Sequence, residues 1–163
     1  MAEPPKIRDY ENSDAENLNR IAVSAFSQFR HFYQDWPAMQ ASLSKTSALS
    51  VTGEVIVAEF DGRIAGAVAY FGPNVAKAAF FDSRWPIIRM LVVDPAFRGK
   101  GLGHALSEEC IARAKRDRSP VIALHTSPIM TVALPMYLKM GFIKAYDAPP
   151  IFGVAYAVYT KAL

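Results

Sequence analysis

Cysteine and histidine are both scarce in this chain of 163 residues. The single cysteine, Cys110, excludes an intramolecular disulfide framework and any cysteine-rich zinc module. The three histidines, His31, His104 and His125, lie far apart in the sequence and form no multi-histidine motif. We therefore expect no bound metal. Cys110 falls on the apolar face of a predicted helix, where packing explains it better than a nucleophilic role.

An excess of one charge and a long apolar run are also missing. The 18 basic and 15 acidic residues give a net charge of +3, which permits an anionic ligand but is too weak for a nucleic-acid-binding surface. The longest uncharged stretch, residues 119–138, contains His125, Pro128 and Pro135 and is a poor membrane span. Residues 1–15 show no signal-peptide pattern. We expect a cytoplasmic protein without a nucleic-acid or membrane partner.

A globular composition accompanies these absences. Apolar residues make up 52% and charged residues 20% of the chain, which excludes intrinsic disorder. A chain of this length suits one folded unit with its own core, so residues 1–163 are predicted to form a single domain.

Hydrophobic periodicity and turn signals predict alternating strands and helices. Strands are expected at 7–10, 54–60, 63–71, 87–93, 121–124, 142–146 and 153–160, and helices at 13–29, 35–46, 101–118 and 131–140. Ser13 and Glu16 fit a capping box at the first helix, and Asp61-Gly62 predicts a tight hairpin. Hairpins followed by a strand–helix–strand unit indicate a mixed α/β sheet. The long connection 72–86 is of a length typical of functional loops.

A glycine-rich loop follows the fourth predicted strand. The segment Arg98-Gly99-Lys100-Gly101-Leu102-Gly103 runs directly into a helix. Glycines allow successive amides to turn inward, and the helix N-terminus adds partial positive charge, so the segment favours an anion site. A P-loop would need glycine at Asp94, and the dinucleotide fingerprint would need one at position 104 or 106. The alternative is a tight turn without a ligand.

Two motifs resemble those of the GNAT superfamily of acetyl-CoA-dependent N-acetyltransferases. The signature Arg/Gln-x-x-Gly-x-Gly/Ala is matched after the fourth strand by Arg98, Gly101 and Gly103. A second landmark, Ala-x-x-x-Tyr-x-x-x-Gly-Phe, is matched by Ala133, Tyr137, Gly141 and Phe142. The resemblance implies a mixed, mostly antiparallel sheet with a splayed central strand pair, flanked by about four helices.

The same resemblance implies acetyl-CoA as co-substrate. Backbone groups of the fourth strand would bind the pantetheine arm as an added strand, and loop amides would hold the pyrophosphate. The residues implied are Leu91, Val92, Val93, Arg98, Gly99, Lys100, Gly101, Leu102, Gly103 and His104. Acetyl would pass directly from the thioester to a primary amine, here expected on a small molecule. The family often forms dimers, so a homodimer is among the assemblies the resemblance allows.

Catalytic roles are implied less completely. Tyr137 matches the family's general acid, which protonates the departing thiolate, whereas a core tyrosine is the alternative. Many members carry a glutamate base on the fourth strand, but this chain has Arg89 in that region, leaving His125, Asp82 or water as candidates. Met130 stands where an asparagine is common, and Pro135 interrupts the last helix. These departures keep a non-catalytic acyl-CoA-binding module, or a nucleotide-binding regulator, as alternative functions.

The acceptor side is expected between the first helix and the fourth strand. Aromatic residues are frequent there, which favours an amine with an apolar or aromatic body, although the same residues would also complete a core. The candidates for contact with the acceptor are Phe29, Tyr33, Phe81 and Asp82.

Overall fold

The computed structural model describes residues 4–163, so residues 1–3 of the predicted domain and of its N-terminal segment lie outside the described residues. Its strands are β1 Lys6–Asp9, β2 Glu54–Phe60, β3 Arg63–Phe71, β4 Ile87–Val93, β5 Val121–Thr126, β6 Ile143–Ile151 and β7 Val154–Ala162. They form one sheet in the order β1-β2-β3-β4-β5-β7-β6. The β4–β5 pair is parallel and the other neighbours are antiparallel, which confirms the predicted mixed, mostly antiparallel sheet.

Four α-helices accompany the sheet within the described part of the chain: α1 Ala15–Phe26, α2 Trp36–Leu43, α3 Leu102–Arg116 and α4 Ala133–Lys139. Buried residues form two clusters, one containing the apolar face of α1 and the other that of α3. Each of the nearly wholly apolar strands β2 and β3 contributes to both clusters, because successive side chains point to opposite faces. No helix among residues 4–163 is long and apolar enough to cross a membrane.

The β2–β3 hairpin has the bounds that the sequence predicts. Its turn residues, Asp61 (φ 52°) and Gly62 (φ 74°), both adopt the left-handed conformation. This pair of angles is what the favoured two-residue hairpin turn requires, and Asp-Gly is among the sequences that best tolerate it.

The predicted capping box at the start of α1 is wrong. The structure instead has a capping box between Glu11 and Asp14 at the short 3-10 turn Asn12–Asp14, where the Asp14 carboxylate accepts a hydrogen bond from the Glu11 N–H at 2.8 Å. The same carboxylate pairs with Arg8 of β1, with Nη1 and Oδ2 2.9 Å apart. Hydrogen bonding to this guanidinium lowers the pKa of Asp14.

The helix α1 also ends earlier than the predicted residue 29. It stops at Phe26, and Phe29 lies in the 3-10 segment Ser27–Phe32.

The separation of β4 from β5 creates the opening that the next section describes. Within the described chain, the two strands share one register pair, Ile87 with Ala123. Beyond it, β4 departs from regular geometry at Met90, whose φ is 57°, and its pairing with β3 shifts by one residue there. A bulge of this kind bends a strand and re-aims its side chains. The predicted splayed strand pair is therefore present.

Candidate active site

An open cleft lies between the end of β4 and the start of α3. Its volume is about 590 Å³, within the range of small-molecule sites. We call it the loop cleft. Its walls contain nine of the ten residues expected to bind the cofactor: Leu91, Val92, Val93, Arg98, Gly99, Gly101, Leu102, Gly103 and His104.

The glycine loop at this cleft contains two residues in the left-handed backbone conformation. Gly99 (φ 76°) and Gly101 (φ 77°) both adopt it, and a Cβ at either position would meet no atom within 4 Å. Helical hydrogen bonding begins where the Ala105 N–H donates to the Gly101 carbonyl, so the first-turn amides before Ala105 are available to a ligand. With the positive end of the helix dipole behind them, these amides suit phosphate oxygens.

The two basic residues of the loop differ in position. Arg98 lies in the cleft wall, but Lys100 does not. The ammonium of Lys100 instead lies 5.3 Å from the centre of the Phe60 ring, where a cation–π contact attracts it. The structure thus places Lys100 apart from the other nine predicted cofactor residues.

A second cavity, of about 660 Å³, continues behind the cleft. We call it the inner cavity. The two cavities share wall residues where β4 and β5 separate, namely Phe26, Leu91, Met130 and Ala133. Most of the inner wall is apolar and comes from α2, β4, β5 and the β6–β7 hairpin, as with Met39, Leu43, Ile88, Leu124 and Ile151. The two cavities therefore border one another at these four residues.

Tyr137 lies in the wall of the inner cavity. The proline does not interrupt its helix, because Pro135 is the third residue of α4 and the Leu134 and Met136 amides on either side still donate to the Met130 and Val132 carbonyls. The ring packs edge-on against Phe142, with centroids 5.6 Å apart. Burial raises the pKa of Tyr137 above its ordinary value, and the nearby Ser107 hydroxyl partly opposes this. The phenol is thus protonated at neutral pH, as a general acid must be.

His125 is also part of the inner wall and is surrounded by aromatic rings. Its ring centre lies 5.4 Å from that of Phe80, 5.7 Å from that of Phe81 and 5.2 Å from that of Tyr156. Burial and, to a lesser degree, the charge of Arg89 lower the pKa of His125 to about 4. The imidazole is therefore neutral at neutral pH and can accept a proton only weakly.

Arg89 is the charged interruption of the apolar strand β4, and its side chain lies at the inner cavity. Its guanidinium lies 5.7 Å from the centre of the Phe71 ring. The side chain is exposed on the side of the cavity. The protein around it still removes part of its water, and this partial burial lowers the pKa of Arg89. Arginine nevertheless remains charged in proteins, so the cavity contains a permanent cation.

The residues predicted to contact an acceptor are dispersed. Phe29 lies in the loop cleft. Tyr33 is buried, and its hydroxyl shares a 2.6 Å hydrogen bond with that of Tyr156. Phe81 is buried against His125. Asp82 lies in the long loop, where its carboxylate accepts two side-chain hydrogen bonds from Arg84, and this pairing lowers its pKa to about 2. Tyr33, Phe81 and Asp82 are not wall residues of either cavity.

Sequence reasoning missed the cavity walls formed by α2 and by the β6–β7 hairpin. Met39 and Leu43 of α2, and Ile151 and Phe152 of the hairpin, read as ordinary core or turn residues. Arg89 was the available signal, because a charge inside an otherwise apolar strand requires a partner or a solvent-filled space.

The family model described as the acetyltransferase (GNAT) family matches residues 15–142, which is most of the chain. The chain belongs to this GNAT family. This confirms the membership that the glycine loop and the Tyr137 segment predict. The match includes β4, the loop and α4, so both cavities of this GNAT chain are built largely from family elements.

Similar proteins agree with this assignment. The chain is 27% identical over 116 residues to S-alkylcysteine N-acetyltransferase of Bacillus subtilis (strain 168), a match that spans 70% of this chain but only 64% of that relative. A GCN5-related N-acetyltransferase from Rhodopseudomonas palustris has a TM-score of 0.78 at 20% identity, covering 100% of this chain and 98% of that one. The acetyltransferase yncA from Salmonella typhimurium, solved with acetyl-CoA, has a TM-score of 0.69 at 19% identity, covering 98% and 94%. The solved structures are similar in fold.

The loop cleft fits acetyl-CoA on its own geometry. Two left-handed glycines leave open space beside free amides at a helix N-terminus, as pyrophosphate requires. The edge of β4 beyond Ile87 has no strand partner toward β5 within residues 4–163, so an amide-containing arm can lie along it. The cleft borders the inner cavity, where Tyr137 lies.

Proposed function

We propose that this GNAT protein transfers acetyl from acetyl-CoA to the primary amine of a small molecule. The observation that carries the proposal is the meeting of the two cavities between β4 and β5, with Tyr137 in the wall beyond the junction. One cavity suits the phosphates and the extended arm of the cofactor. The other suits an acceptor with an apolar body, because most of its wall is apolar.

The transfer needs two proton movements, and the inner cavity has a group for each. The neutral amine attacks the thioester carbonyl, a C–N bond forms, the C–S bond breaks, and the thiolate leaves with the electron pair. Tyr137, protonated because burial raises its pKa, donates a proton to the departing sulfur. The proton lost by the amine passes to His125 or to water. The low pKa of His125 makes it a weak base, so we expect amines that are already deprotonated to react best.

The comparisons support the co-substrate and the general kind of acceptor. The Salmonella protein of similar fold was solved with acetyl-CoA. The Bacillus relative is named for N-acetylation of an S-alkylcysteine, a small molecule with a primary amine and an apolar tail. These two ligands have the chemistry that the loop cleft and the inner cavity suit, respectively.

Titration of acetyl-CoA, followed by thiol release with a panel of primary amines, tests the proposal. We expect binding, and release that depends on the amine. Binding without release from any amine would favour the non-catalytic acyl-CoA-binding module instead. Failure of acetyl-CoA to bind would overturn the assignment of the loop cleft.

Substitution Tyr137→Phe tests the role of the phenol. Loss of a general acid typically lowers kcat by about 100-fold or more, whereas the affinity for acetyl-CoA should change little. Tyr159→Phe is the matched control, because Tyr159 is also buried but lies on β7 away from both cavity walls. Equal kcat values for the two variants would remove Tyr137 from the mechanism.

A further inference from the structure

The charge of the inner cavity indicates which amines enter it, provided that the proposed function holds. Among the described residues that form its wall, Arg89 and Lys45 are cationic and none is acidic. A plain amine enters such a space as an ammonium ion and meets repulsion there. A molecule that also carries a negative group meets attraction. The cavity thus disfavours di- and polyamines and favours a zwitterion.

Compared with Lys45, Arg89 is the better carboxylate site, because its planar guanidinium can donate two parallel hydrogen bonds. Within residues 4–163, no carboxylate lies within ion-pair distance of it, and burial alone shifts its pKa. Arg113 of α3 shows the contrast, since it pairs with Asp9 at 2.7 Å, Glu54 at 2.9 Å and Glu109 at 3.2 Å.

The Arg89 side chain is exposed to the open cavity, so its guanidinium is accessible to an anionic ligand. Its planar fork of N–H donors matches the two oxygens of a carboxylate, which is the anion it binds with the best geometry. The ring of Phe71 covers one face of Arg89 and leaves the edges of the fork for such a partner.

The position of Arg89 places such a carboxylate close to the reaction. Leu91, which lines both cavities, is two residues further along β4, at most about 7 Å along the backbone because Met90 between them departs from the extended conformation. A small molecule whose carboxylate and amine are separated by one or a few carbons can span this interval. Its apolar remainder would then lie against Met39, Leu43 and Leu49.

We propose that the acceptor is an amino acid with an apolar side chain, whose carboxylate pairs with the guanidinium of Arg89. The carboxylate fixes the molecule at one end. The apolar wall selects its side chain, and the amine is directed to the junction between the two cavities. Arg89 is thus a specificity-determining residue of the inner cavity.

Matched pairs of amines test this assignment. Thiol release is measured with phenylalanine against 2-phenylethylamine, and with methionine against 3-(methylthio)propylamine; each pair differs only by the carboxylate. We expect kcat/KM to be about 50-fold higher for each amino acid, the range of a charge-assisted pair. Arg89→Met should abolish the preference without lowering the melting temperature, and Arg89→Lys should restore part of it.

Arg63→Met is the matched control. The Arg63 guanidinium also lies over a phenylalanine ring, 5.6 Å from the centre of Phe97, but outside the inner cavity. This variant should keep the wild-type preference. A wild-type enzyme that prefers the amines without a carboxylate would overturn the inference and leave the proposed function intact, as would an unchanged preference in Arg89→Met.

Product binding separates this inference from the proposed function. N-acetylphenylalanine and N-acetyl-2-phenylethylamine are titrated in the presence of coenzyme A, so no turnover is needed. Tighter binding of the carboxylate, lost in Arg89→Met, supports the site even if no amine gives thiol release. Equal binding of the two products overturns it. Absence of release from every amine, by contrast, contradicts the proposed function alone.

Discussion

The two cavities differ in the kind of group that they offer to a ligand. The loop cleft offers main-chain amides and two left-handed glycines, all from one continuous segment that ends in α3. The inner cavity offers side chains contributed by α2, β4, β5, α4 and the β6–β7 hairpin. A ligand recognised by the backbone thus leaves a compact sequence motif, whereas one recognised by side chains leaves isolated residues. We therefore expect substitutions in the loop cleft to change the affinity for acetyl-CoA, and substitutions in the inner cavity to change the use of the acceptor.

The largest change in the affinity for acetyl-CoA is expected from the substitution Gly101→Val. A β-branched residue at a φ of 77° is strained by about 2 kcal/mol, and relief of that strain would move the amides that we propose to bind the phosphates. Together with a lost charge-assisted hydrogen bond, this should raise the Kd for acetyl-CoA by about 100-fold. Isothermal titration measures the change.

Gly62→Val is the control for strain itself. Gly62 has a φ of 74° and, as at Gly101, a Cβ there would meet no atom within 4 Å, but Gly62 lies at the tip of the β2–β3 hairpin. This variant should lose stability and keep its affinity for acetyl-CoA. Equal losses of affinity in both variants would mean that the glycines act through global stability, and the contrast between the cavities would fail.

The next prediction concerns the inner cavity, where protonation of His125 should lower the free energy of unfolding at acid pH. The pKa of His125 is about 4 in the folded chain and about 6.5 when unfolded, so the unfolded chain binds its proton at higher pH. Stability is therefore lost as pH falls through 6.5 toward 4. Between pH 7.5 and pH 5, this group should lower the free energy of unfolding by about 2 kcal/mol. Urea titrations at the two pH values measure the loss.

His125→Phe should reduce that loss, since the ring remains among its aromatic neighbours without a proton to gain. His31→Phe, the same substitution at an exposed residue, is the control for the loss of a histidine. If His125→Phe unfolds with the same pH dependence as the wild type, the imidazole is better solvated than its aromatic surroundings indicate.

The same contrast explains how much could be predicted from the sequence. The bounds of β2, β3 and β4 match the prediction because these strands are apolar runs ended by turn residues or proline. The glycine loop that lines the loop cleft could be predicted because the residues of its motif are consecutive. Tyr33 and Phe81 were chosen as aromatic candidates, but aromatic rings serve a core equally well, and both are buried in one. Which rings face a cavity depends on helix packing, which local patterns do not specify.

The smallest expected change in the affinity for acetyl-CoA distinguishes the two basic residues of the glycine loop. Arg98 lies in the wall of the loop cleft, whereas the ammonium of Lys100 lies over Phe60. Arg98→Met should raise the Kd for acetyl-CoA about fivefold, since an exposed charge near a phosphate contributes only modestly. Lys100→Met should change it by less than about twofold, and adding salt should weaken binding to the Lys100 variant as much as to the wild type. A larger loss in Lys100→Met than in Arg98→Met would show that Lys100 leaves Phe60 when the cofactor binds.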